Sequence, residues 1–109
     1  MPKHEFGIMK TDPKPTQVFD DYEPEKYNCL SIDDAYIEPM LTKLADVDCY
    51  WRSLECHGKN INYYGITLIP PDSMDLLIER IDGAIGTEKL HALLQKAKEE
   101  HKFVIHFGI

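Results

Sequence analysis

Asp48-Cys49-Tyr50-Trp51-Arg52-Ser53-Leu54-Glu55-Cys56-His57-Gly58-Lys59-Asn60-Ile61-Asn62-Tyr63-Tyr64-Gly65-Ile66-Thr67-Leu68-Ile69 is the stretch that carries the topology. Its two arms, 48–55 and 61–69, are rich in Tyr, Trp, Ile and Thr, which suit a pleated, half-buried surface. Between them His57-Gly58-Lys59-Asn60 holds the Gly and Asn that a hairpin loop favours. Alternation along the first arm sends Cys49, Trp51 and Ser53 to one face and Tyr50, Arg52 and Leu54 to the other. The spacing therefore predicts a hairpin with its turn at 57–60.

Beyond the hairpin, Pro70-Pro71 stops the strand. Asp72 or Ser73 then caps a helix whose stripe is Met74, Leu77, Ile78, Ile81 and Ile85. Gly83 and Gly86 mark its end. Thr87 caps the next helix, with Leu90, Leu93, Leu94 and Ala97 inward. Lys102 to Ile109 is dense enough in apolar residues for an interior strand.

Before the hairpin, His4 to Met9 and Tyr27 to Ile32 read as short strands. Residues 10–26 hold Pro13, Pro15 and Pro24 and no periodicity, so they form a Pro-rich, acidic loop with Val18 and Phe19 as its anchor. A loose turn at 33–37 precedes a helix from Pro39 that buries Met40, Leu41, Leu44 and Ala45. The expected fold class is α+β. From residue 27 the order βαββαβ indicates a ferredoxin-like layout, mostly antiparallel, with helices on one face. The strand at 4–9 is then an extra one at the sheet's edge.

The chain has 109 residues, 12 basic and 19 acidic, for a formal net charge of −7. That length fits one domain, 1–109. The acidic balance argues against nucleic acid, whose binders carry a basic patch. No apolar run approaches a membrane span, and the first residues lack the apolar stretch of a signal peptide. Cys29, Cys49 and Cys56 are odd in number and form no CxxC pair, so a reducing, cytoplasmic location is expected.

The five histidines lack the short paired spacing that zinc sites use, so no metal or cofactor is expected. Cys56 and His57 are neighbours on a strand, where successive side chains diverge, so they do not make a nucleophile and its base. His4 and His106 lie on the first and last strands. If these pair, the two imidazoles meet with Glu5 beside them, the raw material of acid–base catalysis.

Two surfaces suit a binding role instead. From Asp20 to Glu38 there are seven acids (Asp20, Asp21, Glu23, Glu25, Asp33, Asp34, Glu38) against one base, Lys26, with Tyr22, Tyr27 and Tyr36 interleaved. The hairpin adds Tyr50, Trp51, Tyr63 and Tyr64, residue types enriched at interfaces. The leading expectation is a non-catalytic protein-interaction or regulatory module with a basic or neutral protein partner. The alternative is a small enzyme using His4, Glu5 and His106. A homodimer is expected from pairing of a free sheet edge, at 4–9 or at the aromatic hairpin.

Overall fold

A computed structural model describes residues 2–109. It is an α+β structure built on one six-stranded antiparallel sheet. The strands are β1 (Lys3–Ile8), β2 (Leu30–Asp33), β3 (Asp48–Trp51), β4 (His57–Lys59), β5 (Ile66–Ile69) and β6 (Val104–Phe107). Their order is β2-β1-β6-β5-β3-β4. The helices are α1 (Asp34–Ile37), α2 (Met74–Ile81) and α3 (Glu88–Glu100), with a 3-10 segment Glu38–Leu44 continuing α1.

This order corrects the expected ferredoxin-like layout. A split βαβ unit leaves one strand between its two parallel members; here three strands separate β2 from β3, and β5 and β6 are direct antiparallel neighbours. The N-terminal strand is not an edge addition. β1 lies between β2 and β6, pairing Phe6 with Leu30 on one side and with His106 on the other. The edges are β2 and β4.

The hairpin is also corrected. His57-Gly58-Lys59 is not a turn but strand β4, paired in register with Tyr50, Cys49 and Asp48. Gly58 suits that place because a Cβ there would stand 2.7 Å from the Trp51 indole, which packs across it. The reversal falls at 52–56, where Arg52 takes a left-handed φ of 69° and the Ser53 hydroxyl accepts from Glu55 N–H. Asn60, at φ 73°, turns the chain a second time and donates its amide to Leu41 C=O. β3 thus pairs with β4 on one side and β5 on the other.

The two faces of the sheet are covered differently. Phe6, Ile32, Cys49, Ile69 and Val104 face α2, α3 and the 34–44 segment, and pack on Leu44, Met74, Leu77, Ile81, Leu90 and Leu94. The other face carries Ile66, Leu68, Ile105 and Phe107, covered by Met9, Phe19 and Tyr27. Helices therefore occupy one face, and the irregular stretch after β1 crosses the second. Gly7 permits this crossing, since a Cβ there would meet Tyr27 O at 2.7 Å and Cys29 Sγ at 2.8 Å.

Helix ends follow the expected chemistry in part. Gly83 and Gly86, at φ 79° and 80°, end α2 and lead into α3. Ile85, expected in the buried stripe, is instead 81 % exposed, because the helix stops at Ile81 and Ile85 sits in the link. Thr87 precedes α3 but turns its hydroxyl back to Ala84 C=O rather than capping the new helix.

Candidate functional site

β1 and β6 pair, and His4 and His106 meet. Both are fully buried, stacked with ring centroids 5.1 Å apart, and His4 Nδ1 lies 2.9 Å from His106 Nε2. The alternation of the strands aims both at the helix-covered face, beside Phe6.

Three further groups complete the chain. Asn62 N–H donates to Thr67 Oγ1 (2.7 Å), and Thr67 Oγ1 stands 3.1 Å from His106 Nδ1. At the other end His4 Nε2 reaches Asp34 Oδ1 at 2.8 Å. Tyr63 donates its hydroxyl to the same carboxylate at 2.7 Å. One proton assignment with both imidazoles neutral satisfies every partner: Thr67 O–H donates to His106 Nδ1, His106 Nε2–H to His4 Nδ1, and His4 Nε2–H to Asp34.

The electrostatics agree with that assignment. Burial, and the charge of His4 when protonated, hold His106 well below the ordinary imidazole range. Hydrogen bonds from Tyr63 and then His4 hold the Asp34 carboxyl below its usual range. The Asp34 carboxylate in turn pushes the Tyr63 hydroxyl up to about 12. Asp34 is 13 % exposed, so the chain runs from a carboxylate near the surface into a wholly buried imidazole.

This arrangement ties β1, β5, β6, α1 and the 62–65 turn to one another. A buried polar chain of this kind fixes how elements meet, because each unmade bond would leave a desolvated polar atom. Acid–base catalysis needs the base within reach of a substrate proton, and both imidazoles are enclosed by protein. Neither imidazole lines the clefts beside Ile8 and Tyr27, beside Gly83 and His91, or beside Tyr22 and Cys29.

Glu5 is not part of the site. Adjacent to His4 on a strand, it points to the opposite face, where its carboxylate accepts from the Tyr22 hydroxyl and from Ser31 Oγ at 3.1 Å. Tyr22 remains 66 % exposed, with its hydroxyl pushed up to about 12 by the hydrogen bond to Glu5. The acid that does join the histidines is Asp34, taken from the acidic segment, and the tyrosine is Tyr63, taken from the aromatic set.

The expected binding residues divide in the same way. Asp20 is tied to Arg52, Asp33 accepts from Ala35 N–H at the start of α1, and Asp34 belongs to the histidine chain. Asp21, Glu23, Glu25 and Glu38 have no side-chain hydrogen bond or ion pair among the described residues. Tyr50 and Trp51 point to opposite faces and do not form one platform; Trp51 donates Nε1–H to Asn60 C=O at 3.0 Å. Tyr64 is 78 % exposed and meets Tyr63 edge-on at 4.9 Å. Ile109 N–H donates to Tyr63 C=O and Gly108 N–H to Gly65 C=O, so the chain's end closes over the same corner.

Cys29, Cys49 and Cys56 are all free. Burial pushes the Cys29 and Cys49 thiols up to about 12, far from the thiolate a nucleophile requires. His57 turns away from Cys56 toward Asp48, 3.2 Å from its carboxylate. Among the described residues no helix is long and apolar enough to cross a membrane. Compared with protein-family models, curated proteins and solved structures, the chain matches none of them.

Proposed function

We propose that this chain, as one domain over 1–109, is a non-catalytic protein-interaction or regulatory module of the cytoplasm. Its docking surface is the acidic, aromatic corner at the end of the sheet where β1 starts and β6 stops. The observation that carries this reading is the division of labour among the acids and tyrosines. Asp21, Glu23 and Glu25 stay unpaired around the exposed Tyr22, whose ring lies edge-on over Phe107 at 5.5 Å. Tyr64, at the same end, presents its ring to solvent. Exposed aromatics rimmed by charge of one sign suit a protein partner of opposite charge. The enzymatic alternative has less support, since its two histidines are enclosed and its carboxylate, Glu5, faces away from them.

The expected homodimer cannot pair through residues 4–9, because β1 lies inside the sheet; the same reading takes it instead through β2, the edge beside this corner. The other edge, β4, carries Lys59 and is too short to template a partner well. A monomer mass by light scattering across a wide concentration range removes the dimer.

The test is capture of a basic partner at low and high salt, with the native chain and with Asp21, Glu23 and Glu25 changed together to Asn and Gln. Capture should fall in the variant and at high salt, chiefly through slower association. Equal recovery of the same partner in all four conditions removes the acidic corner as a docking surface.

A further inference from the structure

We infer that the other end of β1 holds a second binding site, separated from the acidic corner by the Pro24–Tyr27 turn and sharing Glu25 with it: a slot that takes an extended acidic peptide as an added strand beside Ile8. Three observations carry it.

The first is backbone geometry. Met9 N–H donates to Phe103 C=O, so Met9 faces β6 and, by alternation, Ile8 directs its N–H and C=O to the opposite side. On that side β2 has already ended. Its register with β1 stops at Phe6↔Leu30, and the next paired position would be Asn28 opposite Ile8. Asn28 instead turns away at a left-handed φ of 52° and gives its N–H to Glu25 C=O. Among the described residues no backbone hydrogen bond satisfies Ile8 on this side. It is an open strand edge inside the molecule's outline, with a vacant place in line with β2.

The second is shape. That vacant place is a cleft. One hollow of about 720 Å³ runs from Ile8 and Tyr27 toward Phe19, and a neighbouring one of about 410 Å³ runs from Ile8 and Tyr27 to Leu93 of α3. Both volumes lie within the range of ligand sites. A strand laid there has Tyr27 on one side and Leu93 on the other, so its alternate side chains meet apolar surface on both faces.

The third is charge. In a chain of net −7, the walls of these two hollows carry Lys10, Lys14, Lys26 and Lys96 against Asp12, Glu25 and Glu100. None of the four lysines is in an ion pair among the described residues. The rest of the chain has 12 − 4 = 8 bases against 19 − 3 = 16 acids. The three acids are likewise free of ion pairs among the described residues, so the slot carries a net charge of +1 within an acidic molecule, which favours an acidic segment over a basic one. Strand addition supplies affinity through main-chain bonds and selectivity through alternate side chains.

The test uses a fluorescent peptide, Glu-Val-Asp-Val-Glu, with Lys-Val-Lys-Val-Lys and Glu-Val-Pro-Val-Glu as controls, followed by anisotropy and by amide exchange. The acidic peptide should saturate below about 1 mM, weaken with salt, and slow exchange at Ile8. The lysine and proline peptides should bind at least tenfold more weakly. Lys10→Glu with Lys96→Glu, both at exposed side chains, should weaken the acidic peptide at least tenfold. If that pair impairs folding by circular dichroism, Lys26→Glu is read in its place, with at least a threefold loss expected. Absence of saturable binding, equal binding of either control, unchanged binding in the folded variant, or binding without slower exchange at Ile8 overturns the proposal.

Discussion

The two faces of the sheet are covered by unlike materials. On one face α2 and α3 bring Met74, Leu77, Ile81, Leu90 and Leu94 onto the strands at regular helical spacing. On the other, a proline-rich segment crosses Ile105 and Phe107 with Phe19 as its one buried large side chain. Its tethers are few: Lys102 Nζ to Lys10 C=O at 2.9 Å, Phe19 N–H to Arg52 C=O at 2.7 Å, the Asp20–Arg52 ion pair and the Tyr22–Glu5 hydrogen bond. A helix satisfies its own backbone and needs only an apolar stripe, whereas an irregular cover needs each anchor separately. The helical face should therefore belong to the global folding unit, and the second cover should open more easily.

The largest effect expected from this contrast is at Leu94, fully buried on α3. Leu94→Ala should lower unfolding free energy by about 3–4 kcal/mol in urea titration. Phe19→Ala removes a larger side chain but should cost only about 2 kcal/mol, because the segment can detach once its docking is lost. Faster amide exchange should then be confined to residues 14–27. Equal losses from the two variants, with exchange rising throughout the chain, would show that both covers form one cooperative unit.

This contrast also explains what was legible in the sequence. The stripes of α2 and α3 could be read because helical spacing is a local signal. The meeting of His4 with His106 was legible only as a condition, that the first and last strands pair, and nothing local in either strand states that they do. Asp34 in the same chain was hidden, since a carboxylate in an acidic run gives no sign of its partner. Thr67, in an apolar strand, gave no sign of a hydroxyl bonded to an imidazole. The hairpin was misplaced for a physical reason: Gly58 signals a turn but serves as the surface on which Trp51 lies. The turn itself, at 52–56, contains no glycine, and Arg52 takes the left-handed conformation. Strand order was missed because placing β1 beside β6 depends on contacts a hundred residues apart.

A smaller effect separates the one buried polar chain of the helical face from its apolar remainder. The unfolded chain binds a proton at His106 near pH 6.5, while the folded chain holds that imidazole neutral to well below this pH. Acidification therefore favours the unfolded state: this contribution is full above about pH 6.5 and is lost as pH falls from there toward the folded value. The slope should reach at most about 1.4 kcal/mol per pH unit. Asp34, whose folded value lies below 3.8, adds a loss in the same direction at lower pH. His106→Gln should flatten the profile between pH 6.5 and 5, whatever its effect on stability at pH 7. An unchanged slope in that variant would locate the acid sensitivity elsewhere.

The smallest expected effect lies in the tethers of the irregular cover. Asp20 and Arg52 are both more than half exposed, so water and salt screen their attraction. Asp20→Asn should change global stability by no more than about 0.5 kcal/mol. The informative readout is local. Arg52 also accepts the Phe19 N–H through its backbone, and that bond remains in the variant. If the ion pair only trims the segment's motion, exchange at residues 14–27 should rise by a few-fold at low salt, and the variant and native chain should converge at high salt. If the ion pair instead holds the cover in place, Asp20→Asn should match Phe19→Ala in its exchange pattern. Phe19 would then lose its position as the main anchor, and the contrast between the two faces would rest on charge as much as on burial.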